Sequence, residues 1–128
     1  MVPLEQIQIY MLDMDGTFYL GGKIFEWSFD FLDKLKEQGK DFVFLTNNSS
    51  NSKESYVRKL EKMGLKVSGE KVISSGEATT IYLNRRKPGA KIYLVGTPVL
   101  EQEFQQAGFV LTDQEPDVVV VGFDTTLT

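Results

Sequence analysis

Ile7-Gln8-Ile9-Tyr10-Met11-Leu12-Asp13-Met14-Asp15-Gly16-Thr17 decides the fold: a nearly unbroken apolar run ends abruptly in two aspartates, a glycine and a threonine. Ile7 to Leu12 reads as a strand covered on both faces, because a strand with one wet face would alternate apolar and polar residues. Asp13 to Lys23 reads as the polar, Gly-containing connection that leaves it.

The same phrase, a short apolar strand, a polar turn and an amphipathic helix, recurs along the chain. Trp27, Phe31 and Leu35 recur every four residues with Leu32 beside them, and Gly39 follows as a stop, which predicts a first helix. Asp41 to Leu45 is the second strand, and Thr46-Asn47-Asn48-Ser49-Ser50 is its turn. A helix carrying Tyr56, Val57, Leu60 and Met63 comes next, with Asn51 or Ser52 able to cap it and Gly64 to end it.

Val72-Ile73 predicts a short strand, and Ser74-Ser75-Gly76-Glu77 has capping-box spacing for a third helix through Ile81 and Leu83. Arg85-Arg86-Lys87-Pro88-Gly89-Ala90 breaks the pattern and marks a candidate boundary. Lys91 to Val95 is a strand, Thr97-Pro98 an N-cap followed by proline, and Leu100, Phe104 and Ala107 a helical stripe closed by Gly108. Asp117 to Val121, with four consecutive valines, is the last strand, and another helix is expected to begin within Gly122 to Thr128. Alternating strands and helices predict an α/β fold, a parallel sheet flanked by helices with right-handed connections, and ligands bind such folds at the carboxyl ends of the strands.

Composition narrows the chemistry available there. The 128 residues include 14 basic and 18 acidic side chains, a net charge of −4, and neither histidine nor cysteine. Disulfides, zinc fingers, a cysteine nucleophile and a serine-histidine-aspartate triad are excluded, which leaves carboxylates, hydroxyls, lysines or a hard metal ion. No basic run exceeds Arg85-Arg86-Lys87, which argues against a nucleic-acid partner. The N-terminus lacks the pattern of a signal peptide and no stretch of 18 apolar residues occurs, so no membrane partner and a cytoplasmic location are expected.

The turns after Leu12, Leu45 and Val95 are the places to look. Asp13 and Asp15 at spacing i, i+2 present both carboxylates to one side if the strand persists. At about 5 Å and an effective dielectric near 20, two such charges repel by roughly 3 kcal/mol. The pair therefore wants a cation or a shared proton, and a hard divalent ion such as Mg²⁺ suits oxygen donors. The bland alternative is a pair of turn-capping aspartates. Thr46 to Ser50 offers hydroxyls, amides and backbone N–H groups at a helix start, as an anion site needs, though a plain capping loop has the same composition. Gly96-Thr97-Pro98 reads as a structural cap and Asp124 as a turn aspartate.

Asp13-Met14-Asp15-Gly16-Thr17 after an apolar strand, with Thr46-Asn47-Asn48-Ser49 about thirty residues on, resembles motifs one and two of the haloacid dehalogenase-like hydrolases. With Val72-Ile73-Ser74-Ser75 and Val121-Gly122-Phe123-Asp124, the chain resembles the 4-nitrophenylphosphatase-like branch, which carries a large inserted α/β cap. The resemblance implies a Rossmann-like core in residues 1–87 and the beginning of the cap in 88–128. It implies a phosphatase acting on a small phosphorylated metabolite, with Asp13 as nucleophile and Asp15 as general acid and base. Asp13 and Asp15 would also be the metal ligands, and Thr46, Asn47 and Asn48 would hold the phosphoryl group.

Members of that family continue for roughly another domain's length, with a lysine motif and a further acidic motif. The chain accordingly reads as the N-terminal part of such an enzyme, with apolar surfaces that favour self-association. Its rival reading is a catalytically impaired phosphate-binding or interaction module. A receiver-like domain phosphorylated on aspartate fits less well, because no acidic pair precedes Asp13.

Overall fold

The computed structural model describes residues 1–124, so the expected helix start falls, beyond Asp124, outside the described residues. The chain forms two compact units, Met1–Thr46 with Glu54–Ile73, and Asn47–Lys53 with the residues from Ser74 onward.

In the first unit, β1 (Ile9–Asp13) leads to a small antiparallel hairpin, β2 (Tyr19–Leu20) and β3 (Lys23–Ile24), and then to α1 (Glu26–Glu37). Further along come β4 (Asp41–Thr46), α2 (Lys53–Lys62), which begins at the edge of the unit, and β5 (Val72–Ser74). The sheet order is β1-β4-β5, with β1 and β4 parallel and in register from Ile9 beside Asp41 to Asp13 beside Leu45. Phe44 is wholly buried at its centre, with Phe18 edge-on at 4.8 Å and Phe42 at 5.3 Å. Tyr56 and Leu60 of α2 and Val72 of β5 close the same core, as the spacing of α2 predicts.

Two expectations are corrected in this unit. In α1 the buried face is Ser28, Leu32 and Leu35 rather than the stripe through Trp27 and Phe31. Ser28 tolerates burial because its hydroxyl donates to the Phe18 carbonyl at 2.7 Å, which satisfies a polar group that burial removes from water. Trp27 lies exposed and stacks on Phe25 at 4.3 Å, while Phe31 meets Tyr10 edge-on. Among the described residues β1 is covered on one face: Tyr10 and Leu12 pack against the core, while Ile9 and Met11 are 62% and 72% exposed.

The second unit holds α3 (Ser75–Arg86), β6 (Lys91–Val95), α4 (Pro98–Gln106), β7 (Val110–Leu111) and β8 (Val118–Val121). Its sheet runs β7-β6-β8 with both pairings parallel. The α3 cap forms as its spacing requires, the Ser74 hydroxyl accepting from the Glu77 amide at 3.1 Å. Thr97 caps α4 ahead of Pro98 in the same way. Of the four valines in β8, Val118 and Val120 enter the core and Val119 and Val121 face out, the period of two that a strand imposes.

Leu83 of α3 shares that core with Ile92, Leu100 and Phe104. The Arg85–Ala90 turn joins α3 to β6 within this unit. Three glycines crowd Leu100. A methyl group at Gly76, Gly96 or Gly122 would come within 2.8, 2.7 or 2.4 Å of its side chain. No helix among the described residues is long and apolar enough to cross a membrane.

Candidate active site

The residues at the mouth of β1 are shaped by a tight turn. The Met14 carbonyl accepts from the amides of Thr17 and Phe18 at 3.2 and 2.9 Å, and the Gly16 amide donates to the Tyr19 carbonyl at 2.8 Å. Gly16 sits at φ +78°, in the left-handed region where a side chain is strained, so the turn requires glycine. Met14 is buried, and the aspartates on either side of it are exposed. Thr17 donates its hydroxyl to Oδ2 of Asp13 at 3.0 Å, which steadies that carboxylate.

Asp15 forms an isolated bridge with Tyr19, and its Oδ1 lies 3.8 Å from the Lys59 ammonium. Tyr19 is completely buried, and Lys59 rests over its ring at 4.6 Å from the centroid. Burial pushes ionisation of the Tyr19 phenol well above its ordinary value, and the negative charge of Asp15 adds to the effect.

Thr46 ends β4, one residue beyond the Asp13–Leu45 pair, so Asp13 and Thr46 emerge from neighbouring parallel strands at their carboxyl ends. Its side chain is buried, with its hydroxyl 3.5 Å from that of Tyr56. Asn47 and Asn48 belong to the second unit, where the 47–53 loop is held by several bonds. Ser75 donates to the Asn47 carbonyl at 3.1 Å, the Ser49 hydroxyl accepts from the Phe123 amide at 3.0 Å, and Thr97 donates to the Ser50 carbonyl at 3.3 Å. Asn48 Oδ1 accepts from the Ser50 amide at 2.9 Å, an Asx turn that commits its side-chain oxygen to the loop. Within this unit Asn47, Ser49, Ser75 and Thr79 help to line a cavity of about 400 Å³ that also touches Leu100 and Phe104.

Among the described residues, Asp13 and Thr46 come together on one pair of strands, and Asn47 and Asn48 follow in a loop with its own anchoring. Tyr19 and Lys59 were not anticipated from sequence as part of the site. The Gly21-Gly22 pair between Tyr19-Leu20 and Lys23-Ile24 was the available signal for the hairpin that buries Tyr19. Nothing local marks Lys59.

Residues 10–110 match the family model described as haloacid dehalogenase-like hydrolase. The chain belongs to the haloacid dehalogenase-like hydrolase family. Among curated members, it is 33% identical over 126 residues to the acid sugar phosphatase of Staphylococcus aureus, covering 98% of the chain and 49% of that protein. Among solved structures of the family, 4-nitrophenylphosphatase of Thermotoga maritima superposes with a TM-score of 0.93 at 47% identity, covering 98% of the chain and 48% of the enzyme. NagD of Escherichia coli gives 0.84 at 30% identity, covering 95% and 48%. Glycerol phosphate phosphatase of Mycobacterium tuberculosis, solved in complex with magnesium, gives 0.84 at 26% identity over 97% and 38%. The chain spans about half the length of the curated relatives it matches.

Proposed function

We propose that the complete protein containing this chain is a Mg²⁺-dependent phosphatase that hydrolyses small phosphomonoesters through a phosphoaspartyl intermediate. One observation carries the reading: Asp13 and Thr46, from the two family motifs, leave adjacent parallel strands at the same end of one sheet. The names of three of the relatives support it: acid sugar phosphatase, 4-nitrophenylphosphatase and glycerol phosphate phosphatase.

In this mechanism a carboxylate oxygen of Asp13 bonds to phosphorus as the bond from phosphorus to the alcohol oxygen breaks, and Asp15 delivers a proton to that departing oxygen. Asp15 then takes a proton from a water molecule whose oxygen attacks phosphorus, which releases inorganic phosphate and restores Asp13. Thr46, Asn47 and the Asn48 backbone bind the equatorial oxygens. The hydrogen bond from Thr17 holds one Asp13 oxygen in place and leaves the other to attack.

The donors present fit a hard cation. The Asp13 carboxylate is exposed, and the Asp15 main-chain carbonyl would join it, while no cluster of three metal-ligating side chains occurs among the described residues. Mg²⁺ usually keeps several waters and takes one or two carboxylates, so two protein oxygens are a reasonable share. When bound, the ion supplies positive charge against the phosphoryl oxygens. Under the same reading residues 1–87 supply the hydrolase core and 88–128 begin the cap, with α3 contributing Leu83 to the core of that segment.

The test is hydrolysis of 4-nitrophenyl phosphate by the complete protein with and without Mg²⁺, and by Asp13→Asn. Activity that needs Mg²⁺ and vanishes in the variant is expected. A folded protein with no such activity would instead favour the phosphate-binding module.

A further inference from the structure

From the Asp15, Tyr19 and Lys59 cluster we infer that Lys59 is a positioning residue for the acid and base Asp15, an inference that rests on the phosphatase reading above. The general acid must aim one oxygen at the departing alcohol. Asp15 is exposed and sits just past a strand end. Lys59 supplies a fixed charge 3.8 Å from Oδ1, a separation for an ion pair rather than a hydrogen bond.

Lys59 is itself held, which distinguishes it from an ordinary surface lysine. Its ammonium lies 4.6 Å over the ring of Tyr19, a side chain with no exposed area. A rigid aromatic face under a cation fixes its position, and the lysine stem follows from α2, whose Tyr56 and Leu60 are anchored in the core. Tyr19 is anchored in turn by the turn at Gly16 and the bridge to Asp15. The chain thus builds a closed circuit in which Asp15 shapes the turn, the turn buries Tyr19, Tyr19 seats Lys59, and Lys59 attracts one oxygen of Asp15. The other oxygen is left to carry the proton that passes to the alcohol oxygen when the bond to phosphorus breaks. Both charges are about half exposed, so the pair adds little to stability. Its consequence is geometric.

The role shows in the dependence on leaving group, because a poor leaving group needs the proton and 4-nitrophenolate hardly does. In the complete protein, Lys59→Gln is expected to lower kcat on glycerol phosphate by about tenfold, a fraction of the full effect of a general acid, and on 4-nitrophenyl phosphate by less than about threefold. KM for both should stay near the wild-type value, and Lys59→Arg should restore most of the loss. Equal losses on the two substrates, no loss on either, or a loss confined to KM would overturn the inference. Matched urea midpoints for the variants exclude unfolding as the cause. Asp13→Asn, run alongside, separates the two levels. If it retains activity, or the wild type has none, the phosphatase reading fails and takes this role with it. If it is inactive while Lys59→Gln loses both substrates equally, only the role of Lys59 fails.

Discussion

Leu100 and the glycines around it make a prediction with both sign and size. Leu100 is 2% exposed, and a methyl group at Gly122 would lie 2.4 Å from its Cδ2 and 3.1 Å from the Ser49 hydroxyl. The first distance falls about 1 Å short of the 3.5–4.0 Å at which carbon atoms rest. Gly122→Ala should therefore cost about 1–3 kcal/mol as an overpacked site. Leu100→Ala should cost about 2–5 kcal/mol through lost burial and the cavity it leaves. The double variant should be more stable than the sum implies, since truncating Leu100 removes the atom the new methyl strikes and leaves space for it. A coupling of about 1–3 kcal/mol is expected, within the range for residues in contact. The assay is urea unfolding of the four proteins, with the slope checked for a shared denatured state. Additive effects within about 0.5 kcal/mol would refute the packing argument.

Gly16→Ala meets no atom within 4 Å, so its cost arises from the backbone alone, at φ +78°. A loss of about 1–2 kcal/mol in urea unfolding is expected. Lys71 bonds the Asp41 carboxylate, and that bond, helped by the Phe42 amide, holds the carboxyl below its ordinary value. Its stabilisation is present above the unfolded value near 3.9 and is lost as the pH falls through the lowered folded value, so Lys71→Met should flatten the acid limb of a plot of urea midpoint against pH. Tyr19 shifts the other way. Its contribution is present below pH 10.0 and is lost as the pH rises through the raised folded value, so Tyr19→Phe should soften the alkaline limb of the same plot.

Local chemistry was readable in the sequence wherever its partners lie close along the chain. Ser74 with Glu77, Thr97 with Pro98 and the valines of β8 each sit within one turn or strand, and each does what its spacing demands. The phase of α1 was not readable, because the group that satisfies the buried Ser28, the Phe18 carbonyl, lies outside the helix. Apolar identity at Ile9 and Met11 likewise says nothing about which face of β1 is covered. At the candidate site, Asp13 and Thr46 follow from strand ends and a parallel register. Lys59 beside Asp15 depends on how α2 packs against the hairpin, and pattern in the sequence does not carry that information.

β1 stands at the margin of its three-stranded sheet among the described residues, with Ile9 and Met11 turned outward. An unpaired ladder beside an oily strip is a template on which other chains can stack. A preparation of this segment should therefore be governed by colloidal behaviour as much as by chemistry. Charged substitutions at Ile9 and Met11 would provide a soluble reagent in which the carboxylates and the lysine could be studied without interference from clumping.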